Sequence, residues 1–338
     1  MYKYICNLIH VVLLILIPSL IFSWWAGGLT VDGDLTRIGK WTEHDFGPNI
    51  IHPSAPINEN TKFQQSIDIL VLGDSFSVGN VWQSVLADKT GYNILSFHYE
   101  SNCIANWIET AVAESSSKFI VIETVERSLI ERFGNISKCS SKTTIPIKIQ
   151  TSVKPAYQTT SLPTLNLTYL LPTAINTLEL NISPEEYFNR FLVVNVPLKL
   201  GCSKFSNRRN NRLLYYAEDD LKQQWSFEEV SAAIKNILEI QEQVERHGKK
   251  LIFMVAPDKS SVYQSCFMNQ EANKNEKNIN SIMILSGVNA PDMETIYKSN
   301  ISIINDLYLP DGTHWSIAGY KLAGDAMSRY ITSMNMRN

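Results

Sequence analysis

No basic stripe interleaved with aromatic residues runs along this chain of 338 residues, and its formal net charge is −3. A polyanion therefore meets no bulk attraction, and no nucleic-acid partner is expected. Metal-ligand patterns are also missing: the sequence has no Cys-x-x-Cys, no His-x-His and no carboxylate cluster with ligand spacing. Neither a metal nor any other cofactor is expected. Cysteine is scarce, with five in all, and Cys6 lies in an apolar N-terminal run. The other four, Cys103, Cys139, Cys202 and Cys266, can pair in an oxidising compartment, and sequence leaves the three possible pairings open. Charged residues make up only 19% of the chain against 44% hydrophobic ones, a globular composition with room for one large or two small domains.

The longest apolar run lies at the N-terminus. Tyr4 to Trp25 is broken mainly by Asn7, His10 and a few serines. At ~1.5 Å rise per residue it crosses a ~30 Å hydrocarbon core. Lys3 precedes it and Trp24-Trp25 suits the far interface, so residues 1–26 read as an anchor in the inner (cytoplasmic) membrane, with everything after it on the periplasmic, extracytoplasmic side. A cleaved signal peptide is the rival; the bulky Trp pair, where small residues suit cleavage, favours the anchor. Residues 27–65 carry Gly, Pro, Asn and Asp with little periodicity and read as an extended linker. A sharper alternative lets Arg37 or His44 fold back to a site rim.

The rest of the chain is organised around Ile67-Asp68-Ile69-Leu70-Val71-Leu72-Gly73-Asp74-Ser75-Phe76-Ser77. Its apolar, β-branched half predicts a buried strand and its second half a sharp exit into a helix. Ser75 then stands at the carboxyl edge of a parallel sheet, where open α/β folds place their sites. A serine becomes a nucleophile only when a base takes its proton, so the reading needs a histidine oriented by a carboxylate. Asp311-Gly312-Thr313-His314 provides both residue types. The alternative makes Ser75 a helix N-cap and His314 a surface turn residue.

Around this stretch, strand and helix alternate. Val78, Val81, Trp82, Val85 and Leu86 fall at helical spacing before Gly91; Asn93 to Phe97 and Phe119 to Ile122 read as strands, with Ala105, Ile108 and Val112 between them as a helix face. The fold class expected is α/β, a doubly wound parallel sheet of three-layer type. Arg127, beside Glu123 and Glu126, is either a structural ion pair or a holder of a polar substrate group. Residues 134–225 break the alternation with prolines, threonines and serines, and read as an insertion that covers the site or wraps the core. The pattern resumes with a Ser226/Glu229 capping box, a strand at Leu251 to Val255, a helix near Ile279 to Leu285, an apolar run at Ile301 to Ile304, and a closing helix capped by Ser316.

Gly73-Asp74-Ser75 with the late Asp311-x-x-His314 resembles the SGNH (GDSL-type) hydrolase superfamily. The resemblance implies a flavodoxin-like domain over 66–338, Ser75 as nucleophile, His314 as base and Asp311 as the orienting acid. Ser75 N–H, Asn102 and Asn106 are the nearest candidates for the oxyanion donors such enzymes use. Glu123, Glu126-Arg127 and Ala256-Pro257-Asp258-Lys259 with Tyr263 look, more narrowly, like the SGNH-like domains of alginate O-acetylation proteins and their exopolysaccharide relatives. Those proteins carry an Asp-x-His pair ahead of the serine, whereas here Asp311 and His314 follow it. This second resemblance implies acetyl-ester chemistry on a polysaccharide; the triad leaves transfer and hydrolysis open, and the N-terminal anchor favours an O-acyltransferase that moves an acetyl group onto a polysaccharide hydroxyl beside a membrane-bound acyl-donor protein. A carbohydrate O-acetylesterase with the same triad, and a catalytically inactive polysaccharide-binding assembly protein, are the alternatives.

Overall fold

Five consecutive buried residues, Ile69–Gly73, form the first strand, β1, because an apolar run that short is covered only when sheet neighbours and helices close over both its faces. The structure, a computed structural model, describes residues 2–25, 33–51, 67–99, 104, 108–109, 112–113, 115–135, 167–184, 188–268 and 278–336. Among these residues six further strands follow: β2 Ile94–His98, β3 Phe119–Val125, β4 Phe188–Arg190, β5 Val193–Pro197, β6 Arg212–Tyr216 and β7 Lys250–Ala256. Four of the seven make a parallel sheet in the order β2-β1-β3-β7.

Residue parity along the strands divides the core into two layers, as the two-residue period of a strand requires. Ile69, Val71, Phe119, Val121, Ile252 and Met254 face the helices Val81–Thr90 and Ile317–Met336. Leu70, Leu72, Ile120, Ile122, Leu251 and Phe253 face Phe227–Arg246. The expected α/β three-layer fold is therefore present, and with it the crevice where the strand order turns, between β1 and β3. The Ser226/Glu229 capping box is formed, and Ser316 accepts from the Ala318 amide at the start of the last helix.

Several expectations change. The segment read as a linker carries two short helices, Asp34–Gly39 and Glu43–Phe46. Leu35, Trp41 and Phe46 are the reason: they are buried with Leu180, Val193 and Leu214, and leaving three such side chains in water would forfeit about 1.5–3 kcal/mol each. The described part of the insertion is ordered too, with a helix at Leu170–Ile182 and an antiparallel sheet β4-β5-β6. The apolar run Ile301 to Ile304 forms turns, and Val78, expected on a helix, sits exposed in the turn before a helix that starts only at Val81. Ile104, Ile108 and Val112 are buried at helical spacing, while Ala105 lies outside the described residues.

Of the pairings left open, the structure forms Cys202–Cys266; Cys103 and Cys139 lie outside the described residues. The bridge ties the turn after β5 to the segment that follows β7, where Lys199 N–H also donates to the Cys266 carbonyl at 2.8 Å. With 64 residues between its ends, loop-closure entropy gives the cross-link a worth of about 4 kcal/mol. Cys202→Ser is accordingly expected to lower unfolding stability by about 2–4 kcal/mol in a denaturant titration. Alkylation of the unfolded, unreduced protein should leave Cys202 and Cys266 unmodified.

Among the described residues one helix, Tyr2–Trp25, is long and apolar enough to cross a membrane by length and composition, a test a signal sequence also passes.

Candidate active site

The turn after β1 is held by a network of buried acids. Asp74 accepts from Phe76 N–H at 3.0 Å, from Val125 N–H at 2.7 Å and from Arg132 Nη1 at 2.6 Å. Burial pushes its carboxyl up, but the Arg132 charge and these donors outweigh it and leave it below the usual carboxylate range. Glu123, at the end of β3, accepts from Asp74 N–H at 3.0 Å and Ser77 Oγ at 2.7 Å. Burial and the adjacent Asp74 charge push its carboxyl well up. Gly73 is obligatory here, because a Cβ would lie 2.2 Å from Ser77 Oγ. This frame leaves Ser75 projecting from the turn, exposed, while Phe76 and Ser77 beside it are buried.

His314 meets it there. Nε2 lies 3.0 Å from Ser75 Oγ, and the imidazole rests on the Phe76 ring with centroids 4.8 Å apart. Phe76 in turn packs edge-on against Trp315, so the residue after the nucleophile and the residue after the base fix each other's position.

The expected acid is not at the other end of the imidazole. Nδ1 faces Asp34, 3.7 Å from Oδ2 and so at ion-pair rather than hydrogen-bond distance, and Thr313 Oγ1 at 3.2 Å. Asp34 is gripped by the Thr313 amide at 2.9 Å and the Thr313 hydroxyl at 2.5 Å. With its proton given to Asp34, the Thr313 hydroxyl has a lone pair free for Nδ1–H, the tautomer that leaves Nε2 able to accept from Ser75. Burial raises the Asp34 carboxyl, yet His314 and the Thr313 donors more than offset this and bring it down to about 2.

Asp311 is turned away. Its buried carboxyl lies against Glu43 and Lys259; burial first, then the Glu43 charge, push it well above the carboxylate range. What Asp311 offers is its backbone: its carbonyl accepts from Leu35 N–H at 2.9 Å and Thr36 N–H at 3.3 Å, which docks the Asp34–Gly39 helix beside His314. Gly33 permits that approach, since a Cβ there would lie 2.3 Å from the same carbonyl oxygen. The segment does fold back to the site, but through Asp34; Arg37 is exposed and His44 contacts Arg208 and Asp45.

Arg127 is committed elsewhere. Its Nη1 donates to Asp258 at 2.8 Å and to Asp219 at 3.3 Å, and its guanidinium lies over the Tyr216 ring. The geometry thus favours the structural ion pair over a substrate contact. Asn102 and Asn106 lie outside the described residues. Among the described residues nothing accepts from the Ser75 N–H, which leaves that donor available to an oxyanion.

Lys259 has a role that sequence reasoning did not assign. Its buried Nζ donates to the carbonyls of Leu309, Pro310 and Gly312 at 2.8, 3.0 and 3.1 Å, pinning the loop that leads into His314. Burial pushes the ammonium down to about 8, although Asp311 and Asp34 pull the other way. Between that value and the ordinary lysine pKa the unfolded chain binds more protons, so stability rises with pH through this window. The stability difference between the wild type and Lys259→Met should therefore grow from pH 8 to about 10.4, by about 3 kcal/mol at most, in urea titrations across that range.

Residues 210–336 match the family described as the SGNH hydrolase-like domain, acetyltransferase AlgX. The matched stretch holds Lys259, Asp311 and His314, while Ser75 and Asp34 lie ahead of it. With the parallel sheet, the match gives an SGNH-like domain and supports, at family level, a function of acetyltransferase or esterase type. No curated protein matches the chain.

Proposed function

We propose, from the AlgX-like domain and the Ser75–His314 contact, that the chain is an extracytoplasmic O-acyltransferase acting on a polysaccharide, with Ser75, His314 and Asp34 as its triad. The observation that carries this reading is the 3.0 Å approach of His314 Nε2 to an exposed Ser75 Oγ. His314 takes the Ser75 proton as Oγ attacks the carbonyl carbon of an acetyl ester. The tetrahedral oxyanion points to the Ser75 N–H, and the donor's oxygen leaves with the proton held on His314. A sugar hydroxyl then gives its proton to His314 and attacks the acyl-serine; the same proton returns to Ser75 as the new ester departs. Asp34, ionised because its carboxyl sits at about 2, supports each imidazolium that forms.

The same reading makes residues 33–51 part of the catalytic domain and Tyr2–Trp25 its membrane anchor, which would hold the site beside a membrane-bound acyl donor. An acetyl-ester assay with and without an oligosaccharide acceptor tests it. Acceptor acetylation is the expected result; hydrolysis alone would make the protein an esterase, and no turnover of either kind would leave an assembly protein. A reporter fused after Asn338 that is active only outside the cytoplasm should be active. A reporter that works only inside it would sink the extracytoplasmic assignment.

A further inference from the structure

A helix on the surface of a water-soluble domain ordinarily buries its apolar stripe and exposes its polar one. Leu170–Ile182 does the reverse. Thr173, Asn176 and Thr177 face the domain with Ala174 and Leu180, and Asn176 Nδ2 donates to the carbonyls of Gly39 and Lys40 at 3.0 and 3.1 Å. Leu171, Ile175, Leu178 and Ile182 point outward, 70%, 41%, 49% and 70% exposed. Their spacing of four, three and four residues puts all of them on one stripe. The patch continues at the turn between β4 and β5, where Phe191 and Leu192 are also exposed; the Arg190–Glu179 ion pair fastens that turn to the helix. Lys40 lies at its edge, with Nζ 4.1 Å from the Phe191 ring centroid.

What covers this face is indicated by its neighbour: the apolar Tyr2–Trp25 helix comes close to Leu170–Ile182. We propose that Leu170–Ile182 lies in the plane of the membrane that Tyr2–Trp25 spans, with the Leu171, Ile175, Leu178 and Ile182 face and the Phe191–Leu192 tip seated at the outer headgroup–acyl boundary. The proposal rests on the anchor reading and adds to it a second, in-plane contact. An interfacial helix takes an apolar face downward and cations beside it, which is the arrangement of the stripe with Lys40 at its rim. The seat also bears on the site, because Asn176 grips the end of the short helix that begins with Asp34.

The test uses the full chain in vesicles of phosphatidylethanolamine and phosphatidylglycerol containing a lipid with a diazirine in its acyl chain. After irradiation, lipid adducts are mapped by mass spectrometry. Adducts are expected in residues 2–25 and also in 170–182 and 191–192. The double variant Ile175→Asp/Leu178→Asp should lose at least tenfold of the adduct yield in 170–182 and keep that in 2–25. Adducts in 2–25 with none in 170–182 overturn the in-plane seat and leave the anchor standing, whether that face is bare or covered by a second copy. Absence of adducts in 2–25 overturns the anchor and the seat together. The wild-type pattern decides the matter even if the double variant does not fold.

Discussion

Ser75→Ala is expected to abolish acyl transfer, by about 10⁴-fold or more in kcat, while the protein melts within ~1 kcal/mol of the wild type. The substitution deletes a single oxygen from an exposed side chain whose contact is His314, so little folding free energy is at stake. The competing role, an N-cap, is not open to it. The next helix begins at Val81 after Asn80, and the backbone of the turn is held by Asp74 and Glu123 rather than by Ser75. His314→Ala should cost about as much, and the double variant little more, because nucleophile and base act as one unit. Acetyl content of the polysaccharide, read beside thermal melts, separates lost chemistry from lost structure. Wild-type acetylation in a folded Ser75→Ala protein would end the enzyme assignment.

The second large effect sets two aspartates against each other. Asp34→Asn should lower kcat by about 10³–10⁴-fold, since the imidazole keeps its place but loses the charge that supports its protonated form. Asp311→Asn should change kcat only a few-fold, because Asp311 is pushed toward its neutral form and an amide imitates a neutral acid. The reverse ranking would restore Asp311 as the acid.

Stability adds an independent check. Asp34 sits at about 2 in the fold, below its unfolded value, so its contribution is present above about pH 4 and is lost as the pH falls toward 2. The melting difference between wild type and Asp34→Asn should shrink over that interval. Asp311 has the opposite sign: the fold retains its proton, and stability falls as the pH rises above the ordinary carboxylate range. Asp311→Asn should flatten that dependence.

How far the sequence could be read depended on the range of each signal. β1, the helix ending before Gly91, the Ser226 capping box and the buried stripe of Phe227–Arg246 were legible because each is set by neighbours within about ten residues. Ser75 and His314 were legible as residue types whose chemistry requires one another. Asp34 was not, since its partner Thr313 is 279 residues away and nothing local marks it except a charged, glycine-bearing stretch. The helix Leu170–Ile182 was hidden for another reason. It buries threonine and asparagine, so no apolar inner stripe marks it in the sequence. β5 and β6 were masked by the proline-rich composition around them, although Val193–Pro197 is buried throughout.

The grip of Thr313 on Asp34 also fixes the order in which the candidate site can assemble. A chain made N-terminus first presents Asp34 early and Ser75 soon after, yet their contacts form only once the Thr313–His314 turn has been made. Closing so long a loop costs only a little more than closing a short one, because the entropic term grows with the logarithm of length. Adding that turn therefore assembles the Asp34, Ser75 and His314 cluster at a closure cost that grows only slowly with the length of the loop. A chain that stops short of residue 313 therefore holds Ser75 without the imidazole that contacts it.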